Sequence, residues 1–268
     1  MFFQGKLSVV IPAYNEEKLI QWALQETCQS IAAFMEDFEV LVVDDGSTDA
    51  TRALCRAAAE ENQHIRMVGL VEHAGKGRAL CAGTALAQGN YVAFCDADLE
   101  LHPSQLENFM ERLLRHDADA VIGCKLHPES SVDYPFHRRV LSLGYYALLR
   151  LLFNLDTQDT QSGLKLFRAA PIKQVMKAVL VKRYAFDIEL LSLLQENGGK
   201  IISAPIMLQF NRVSSRIRLK DILDMFLDTL RVFYRLRILH YYQRHPDNQE
   251  ILTVVESAEI FPNTTEYK

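Results

Sequence analysis

Asp96-Ala97-Asp98 follows the apolar run Tyr91–Cys95 directly. Two carboxylates so spaced at a strand end are costly to turn into a core, but they can converge on one divalent cation. Mg2+ and Mn2+ suit that arrangement, with one or two carboxylates completed by phosphate oxygens. Asp-x-Asp alone is also the composition of a solvated turn, so its weight comes from its position. A second acidic pair, Asp44-Asp45, precedes Gly46-Ser47, while Pro12, Tyr14 and Glu16 follow the run Leu7–Ile11. Together these form a polar and aromatic set suited to a base and a ribose. Gly75-Lys76-Gly77 adds flexible backbone and one cation. The Walker spacing and the Rossmann Gly-x-Gly-x-x-Gly are both absent, which removes most support for an ATPase or a dinucleotide dehydrogenase.

The elements that must position these residues alternate. Strand signals at Leu7–Ile11, Glu39–Val43, Ile65–Val71, Tyr91–Cys95 and Ala120–Gly123 are separated by helical spacing over Glu16–Met35, Thr51–Glu61, Arg78–Ala87 and a helix opened by Pro103. Such alternation predicts βαβ units, a mostly parallel sheet and a ligand beyond the carboxyl ends of the strands. The second half reads as a helix over Arg138–Asn154, a polar loop Asp156–Gly163, a strand Leu164–Arg168, and helices near Ile172–Val179 and Asp187–Glu196. A strand at Ile201–Phe210 and a long helix Leu219–Tyr242 follow. The expected organisation is a catalytic domain over 1–210, in halves 7–124 and 125–210, then an amphipathic segment 211–242 and a weakly patterned tail 243–268.

The 268 residues carry a formal charge of −5, with 49% hydrophobic and 24% charged residues, which suits a folded α/β protein and argues against a general nucleic-acid binder. Five dispersed cysteines without a Cys-x-x-Cys pair read as reduced, buried thiols. The first apolar run lacks the flanks of a signal peptide, and Val140–Leu155 falls short of the ~20 residues that span a bilayer.

In this order the motifs resemble glycosyltransferase family 2, and within it the dolichyl- and polyprenyl-phosphate glucosyl- and mannosyltransferases. The residues that carry the resemblance are Val9–Glu17, Val42–Asp49, Gly75-Lys76-Gly77 with Ala79 and Gly83, Asp96–Leu99 with Pro103, Arg139 with Ser142, Asp159–Phe167 and Phe186–Leu191. The resemblance implies a GT-A type fold and metal-dependent, inverting transfer of glucose or mannose from a UDP- or GDP-sugar to a polyprenyl or dolichyl phosphate. It implies that Pro12, Tyr14, Glu16, Asp44, Asp45, Lys76 and Asp96 surround the nucleotide sugar, and that Asp96 and Asp98 hold Mg2+ or Mn2+. Lys125 and Arg139 would receive the acceptor phosphate, and Asp98, Asp159, Asp187 and Arg139 would form the catalytic set. Asp159 as a turn cap and Asp187 as a helix start are the structural alternatives. The family often has Arg at Lys125, so the two-pronged grip of a guanidinium is missing there.

A lipid acceptor calls for membrane contact. Between Arg212 and His240 seven Lys/Arg face three Asp. On a helical wheel Asp221, Asp224, Asp228, Arg231 and Arg235 share a narrow face, and apolar residues cover the remainder. That pattern suits a peripheral site on the cytoplasmic face of an anionic membrane, or a helix packed on the catalytic domain or a dimer partner. A family-2 enzyme with a soluble glycan acceptor and a non-catalytic nucleotide-sugar-binding subunit stay open as alternatives, as does the oligomeric state.

Overall fold

The computed structural model describes residues 2–132, 136–155, 159–181, 185–208, 219–245 and 249–262; the side chains of 136–143, 219–223 and 249–252 lie outside that description. Five strands and four helices alternate first: β1 (Phe3–Ala13), α1 (Ile20–Ala32), β2 (Met35–Asp44), α2 (Thr51–Glu61), β3 (Ile65–Gly69), α3 (Lys76–Leu86), β4 (Tyr91–Phe94), α4 (Leu106–Arg115) and β5 (Ala120–Cys124). Then come α5 (Phe136–Phe153), β6 (Lys165–Arg168), α6 (Ala169–Met176), α7 (Phe186–Glu196) and β7 (Ile201–Pro205). The chain ends in α8 (Leu219–Phe233), α9 (Tyr241–Arg244), α10 (Gln249–Glu256) and β8 (Glu259–Phe261).

These strands form one mixed, mostly parallel sheet in the order β7-β5-β6-β4-β1-β2-β3-β8. Alternation along β1 sends Val10 to a core shared with α3, α6 and α7, and sends Val9 and Ile11 to one shared with α1, α2 and α4. All five cysteines are buried free thiols. Burial pushes the Cys55 thiol up to about 12.

Three departures from the sequence reading matter for the site. First, β1 runs through Pro12 to Ala13, which pairs with Asp44. Val10 accepts the last bond from the β4 side, through the Cys95 N–H. Pro12, two residues on, faces that same side beyond the end of pairing, so its missing N–H costs no ladder bond. Second, β6 pairs antiparallel with both β4 and β5, placing Lys165 opposite Phe94 and Ile122. Third, residues 259–261 are part of the sheet: β8 lies antiparallel on β3, with Arg56 4.8 Å above the Phe261 ring.

Helix α3 carries Lys76 at its first position and packs closely on β1 through Gly83. A Cβ at Gly83 would lie 2.4 Å from Val10 Cγ1 and 3.0 Å from Val43 Cγ2. Gly83→Ala should therefore push α3 off the sheet and destabilise the fold by about 1–3 kcal/mol in urea unfolding. A change within about 0.5 kcal/mol would show that the contact does not set the helix position.

Candidate functional site

Strand order reverses at β1, which lies between β4 and β2. A crevice opens beyond the carboxyl ends of β1 and β4 at such a reversal. Tyr14 leaves β1 at its rim, 41% exposed, with its ring centroid 4.0 Å from the stacked His73 ring. Asn15, at φ 55°, turns the chain and ties it to the loop after β2. Its N–H donates to Ser47 Oγ at 3.0 Å, and its Oδ1 accepts from the Thr48 N–H at 2.9 Å. The Glu16 N–H donates to Thr51 Oγ1 at 2.8 Å.

The two aspartates after β2 serve this scaffold. Asp44 is fully buried and accepts from Arg52 Nε at 2.6 Å and from the Ser47 N–H at 3.3 Å. These bonds brace the turn after β2. The Asp45 carboxylate accepts the Ala74 and Gly75 N–H groups at 2.8 and 2.9 Å, and His73 Nδ1 lies 2.9 Å from its Oδ2. Burial raises the Asp45 carboxyl above its ordinary range, against those bonds. A Cβ at Gly46 (φ 70°) would sit 2.6 Å from the backbone of Glu72 and His73, so the two loops meet closely only because that residue is glycine.

Asp96 and Asp98 stand half-buried just beyond β4. Lys76 Nζ lies 2.5 Å from Asp96 Oδ1. Burial pulls the Lys76 ammonium down, but Asp96, with Asp187 and Asp98 behind it, holds it above its ordinary value. Burial likewise raises Asp96, yet Lys76, then Lys165 and Lys125, hold that carboxyl below its usual range. Gly163 leaves room for this carboxylate: a Cβ there would lie 2.1 Å from Asp96 Oδ2. Asp98 Oδ1 accepts the Glu100 N–H at 3.3 Å, within a turn that takes Leu99 to φ 49°.

The antiparallel β6 brings the remaining residues to the same edge. Lys165, 3% exposed, pairs with Asp187 at 2.8 Å and also donates to the Ser162 carbonyl. Asp187 stands in the first turn of α7. Asp159 accepts the Lys125 N–H and the Gln161 N–H, each at 3.1 Å, so it caps its own turn and joins it to the end of β5. Lys76, Asp96, Asp98, Lys125, Lys165 and Asp187 thus share one electrostatic neighbourhood. Arg139 belongs to α5, and its side chain lies outside the described residues. The sequence reading assigned no role to Lys165 or His73. A lysine flanked by Leu164 and Leu166 in a strand was a usable signal for the first; nothing local marked the second.

The long C-terminal helix is divided. A π-helical turn, Tyr234–Ile238, follows α8, and His240 at φ 47° separates it from α9. Thr229, Val232 and Leu236 are buried, with Tyr145 Oη 2.9 Å from Thr229 Oγ1. Phe226, Leu227, Leu230, Tyr234 and Ile238 stay exposed, as does Leu151 of α5 at 82%. Arg212, Arg216 and Arg218 lie outside the described residues. Among the described residues no helix is long and apolar enough to cross a membrane.

The family model for glycosyl transferase family 2 matches residues 8–176. A dolichyl-phosphate beta-glucosyltransferase of Trichomonas vaginalis is 32% identical over 249 residues, covering 88% of this chain and 76% of that one. The human protein of the same description is 31% identical over 250 residues, covering 87% and 76%. Among solved structures, glucosyl-3-phosphoglycerate synthase from Mycobacterium tuberculosis in complex with UDP superposes with a TM-score of 0.63 at 22% identity, over 86% of this chain and 79% of that one.

The Lys165–Asp187 pair offers a direct check on the site's construction. Removing one partner of a buried pair strands the other charge, so Lys165→Met should cost about 3 kcal/mol or more in urea unfolding. The double variant Lys165→Met/Asp187→Leu should recover a substantial part of that loss. Additive single-variant costs would show that the two charges are not coupled.

Proposed function

The chain belongs to glycosyl transferase family 2 and has the GT-A fold, and from that premise we propose that it transfers a hexose, glucose by preference, from a nucleoside diphosphate sugar to a polyprenyl phosphate. The observation that carries this reading is the meeting of Asp96, Asp98 and three lysines at the switch point, beside the Tyr14–His73 stack. The relatives described as dolichyl-phosphate beta-glucosyltransferases favour glucose and a lipid phosphate. The mycobacterial fold relative, solved with Mn2+ and UDP-glucose, favours UDP as the carrier.

Tyr14 offers its open ring to the base, and Pro12 and Glu16 flank it. The residues also fit a divalent cation. Asp96 and Asp98 supply hard oxygen donors, Gly163 leaves the Asp96 carboxylate uncrowded, and Lys76 already holds a positive charge against it. Among the described residues no group of three or more His, Cys, Asp or Glu converges, so phosphate oxygens would complete the shell. A cation bound there supplies charge neutralisation on the leaving diphosphate.

An acceptor phosphate oxygen is already anionic at neutral pH and needs no strong base. The work left to the protein is positioning and charge stabilisation. Lys125, with Arg139, would hold the acceptor phosphate. Asp187, fixed by Lys165, and Asp159, fixed by the Lys125 and Gln161 amides, would border the sugar. Attack opposite the leaving group inverts the anomeric centre, giving a β-linked product from an α-linked donor. The 1–210 segment would be the catalytic unit. The exposed apolar residues of α8 and Leu151 of α5 would rest on the membrane surface that presents the acceptor.

Incubation with UDP-glucose, Mn2+ and a polyprenyl phosphate should release UDP and form lipid-linked glucose. Asp98→Ala should lower turnover by about 100-fold or more, and chelation should abolish it. Release of UDP only with soluble glycans would overturn the lipid acceptor, and no release with any acceptor would overturn the enzyme reading. Leu227→Ser/Leu230→Ser should weaken binding to anionic vesicles by at least about tenfold, judged from the cost of losing two buried leucines. Unchanged partition would remove α8 from the membrane contact.

A further inference from the structure

A cavity of about 680 Å³ is lined in part by His73, whose ring stacks on Tyr14. Its polar lining is Arg78 at the start of α3, Asp228 and Arg231 of α8, Arg235 of the turn after it, Glu72 and His73 of the loop after β3, and Thr253 of α10. The spacing of 228, 231 and 235 puts one face of α8 and its following turn onto the cavity. Val181 and Val254 provide an apolar part of the wall. The exposed residues Leu227, Leu230, Tyr234 and Ile238 run along the neighbouring face of the same helix.

The lining of this cavity offers donors suited to an anion. Three guanidinium groups meet two carboxylates on the wall and the buried Glu189 behind Val181, which faces Arg235; one of the wall carboxylates, Asp228, is already held by Arg231 at 2.8 Å. The other, Glu72, is exposed at the rim. Arg78 is only 2% exposed and stands in the first turn of α3, which contains no acidic residue. The positive end of the helix dipole therefore adds to the Arg78 charge where it ordinarily favours an acid. Guanidinium forks match the several acceptor oxygens of a phosphate better than they match a single carboxylate. The cavity is larger than a bare phosphate, and its apolar wall suits a ligand with a carbon portion.

We infer that this cavity is a phosphate-binding site, separate from the donor crevice, that takes a phosphomonoester through Arg78, Arg231 and Arg235. The group arrives either free in solution or on a lipid headgroup whose chains lie against the adjoining apolar face of α8. The inference does not depend on the identity of the sugar donor or acceptor, so it can fail or stand independently of the glycosyl-transfer reading.

Arg231→Gln/Arg235→Gln tests it on the full chain, with Lys76→Gln as the donor-side control and thermal melting as the check on folding. Inorganic phosphate is titrated by calorimetry. Phosphatidylcholine vesicles carrying either phosphatidic acid, a phosphomonoester, or phosphatidylglycerol, a phosphodiester, are compared at equal surface charge. Phosphate affinity should fall at least about tenfold in the arginine variant and stay near wild type in Lys76→Gln. Preference for phosphatidic acid that vanishes in the arginine variant identifies the lipid source, whereas phosphate binding without that preference identifies the free one. Wild-type binding of both probes by the arginine variant overturns the site, as does an equal loss in Lys76→Gln, which would place the phosphate in the donor crevice. No phosphate binding and no phosphatidic acid preference in the wild-type chain also overturns it.

Discussion

Charge balance at the carboxyl edge of the sheet is the constraint on which the site depends. Asp96 stands just beyond β4, three of whose four residues are buried, and its carboxylate is held below its usual range by lysines from three separate segments. Lys76 begins α3, Lys125 follows β5 and Lys165 begins β6. Those lysines are balanced in turn, Lys76 by Asp96 and Lys165 by Asp187. A network with alternating sign is stable only while every member has its counterpart. It also presents both signs at fixed positions, which is what a ligand pairing a cation with an anionic diphosphate requires.

Topology turns that constraint into geometry. In a purely parallel sheet each crossover returns the chain to the far edge before the next strand begins. Here β6 enters from the site edge because it runs antiparallel between β4 and β5. The segment just before it, from Asp159 to Gly163, is thereby delivered to Asp96. The opposite margin of the sheet is closed by β8 on β3, with an Arg56–Glu259 ion pair at 3.4 Å. Covering an edge in this way removes a ready template for pairing with another chain. It also steadies β3, whose outgoing loop carries His73 and the amides that Asp45 holds.

The first half of the fold was legible because its signals are local. Apolar, β-branched runs such as Leu7–Ile11 alternate with helical spacing, and the acidic turns sit where the strands end. What escaped was set by distant partners. The partners of Asp44 and Asp45 could not be read from adjacent residues. They are Arg52 for Asp44 and the Ala74 and Gly75 amides for Asp45. Lys165 was visible as a residue but not as a partner, since Asp187 lies 22 positions away. Residues 259–261 carry too short a pattern to announce a strand, and only the free margin of β3 gives them one.

The C-terminal helix shows why a wheel alone could not assign its faces. Packing a helix onto a domain needs only one apolar stripe. On α8 and the turn after it that stripe is Thr229, Val232 and Leu236, and it is narrow. The polar face is not simply the solvent face: Asp228 and Arg231 satisfy each other, and with Arg235 they border the cavity. The exposed apolar residues Phe226, Leu227, Leu230, Tyr234 and Ile238 are therefore a surplus that burial within the described chain does not use. Large exposed apolar side chains in a row cost solubility without adding to stability, and a row of them marks a contact surface. The same helix thus meets the core on one side, charges at the cavity on a second, and has a third side that stays uncovered among the described residues.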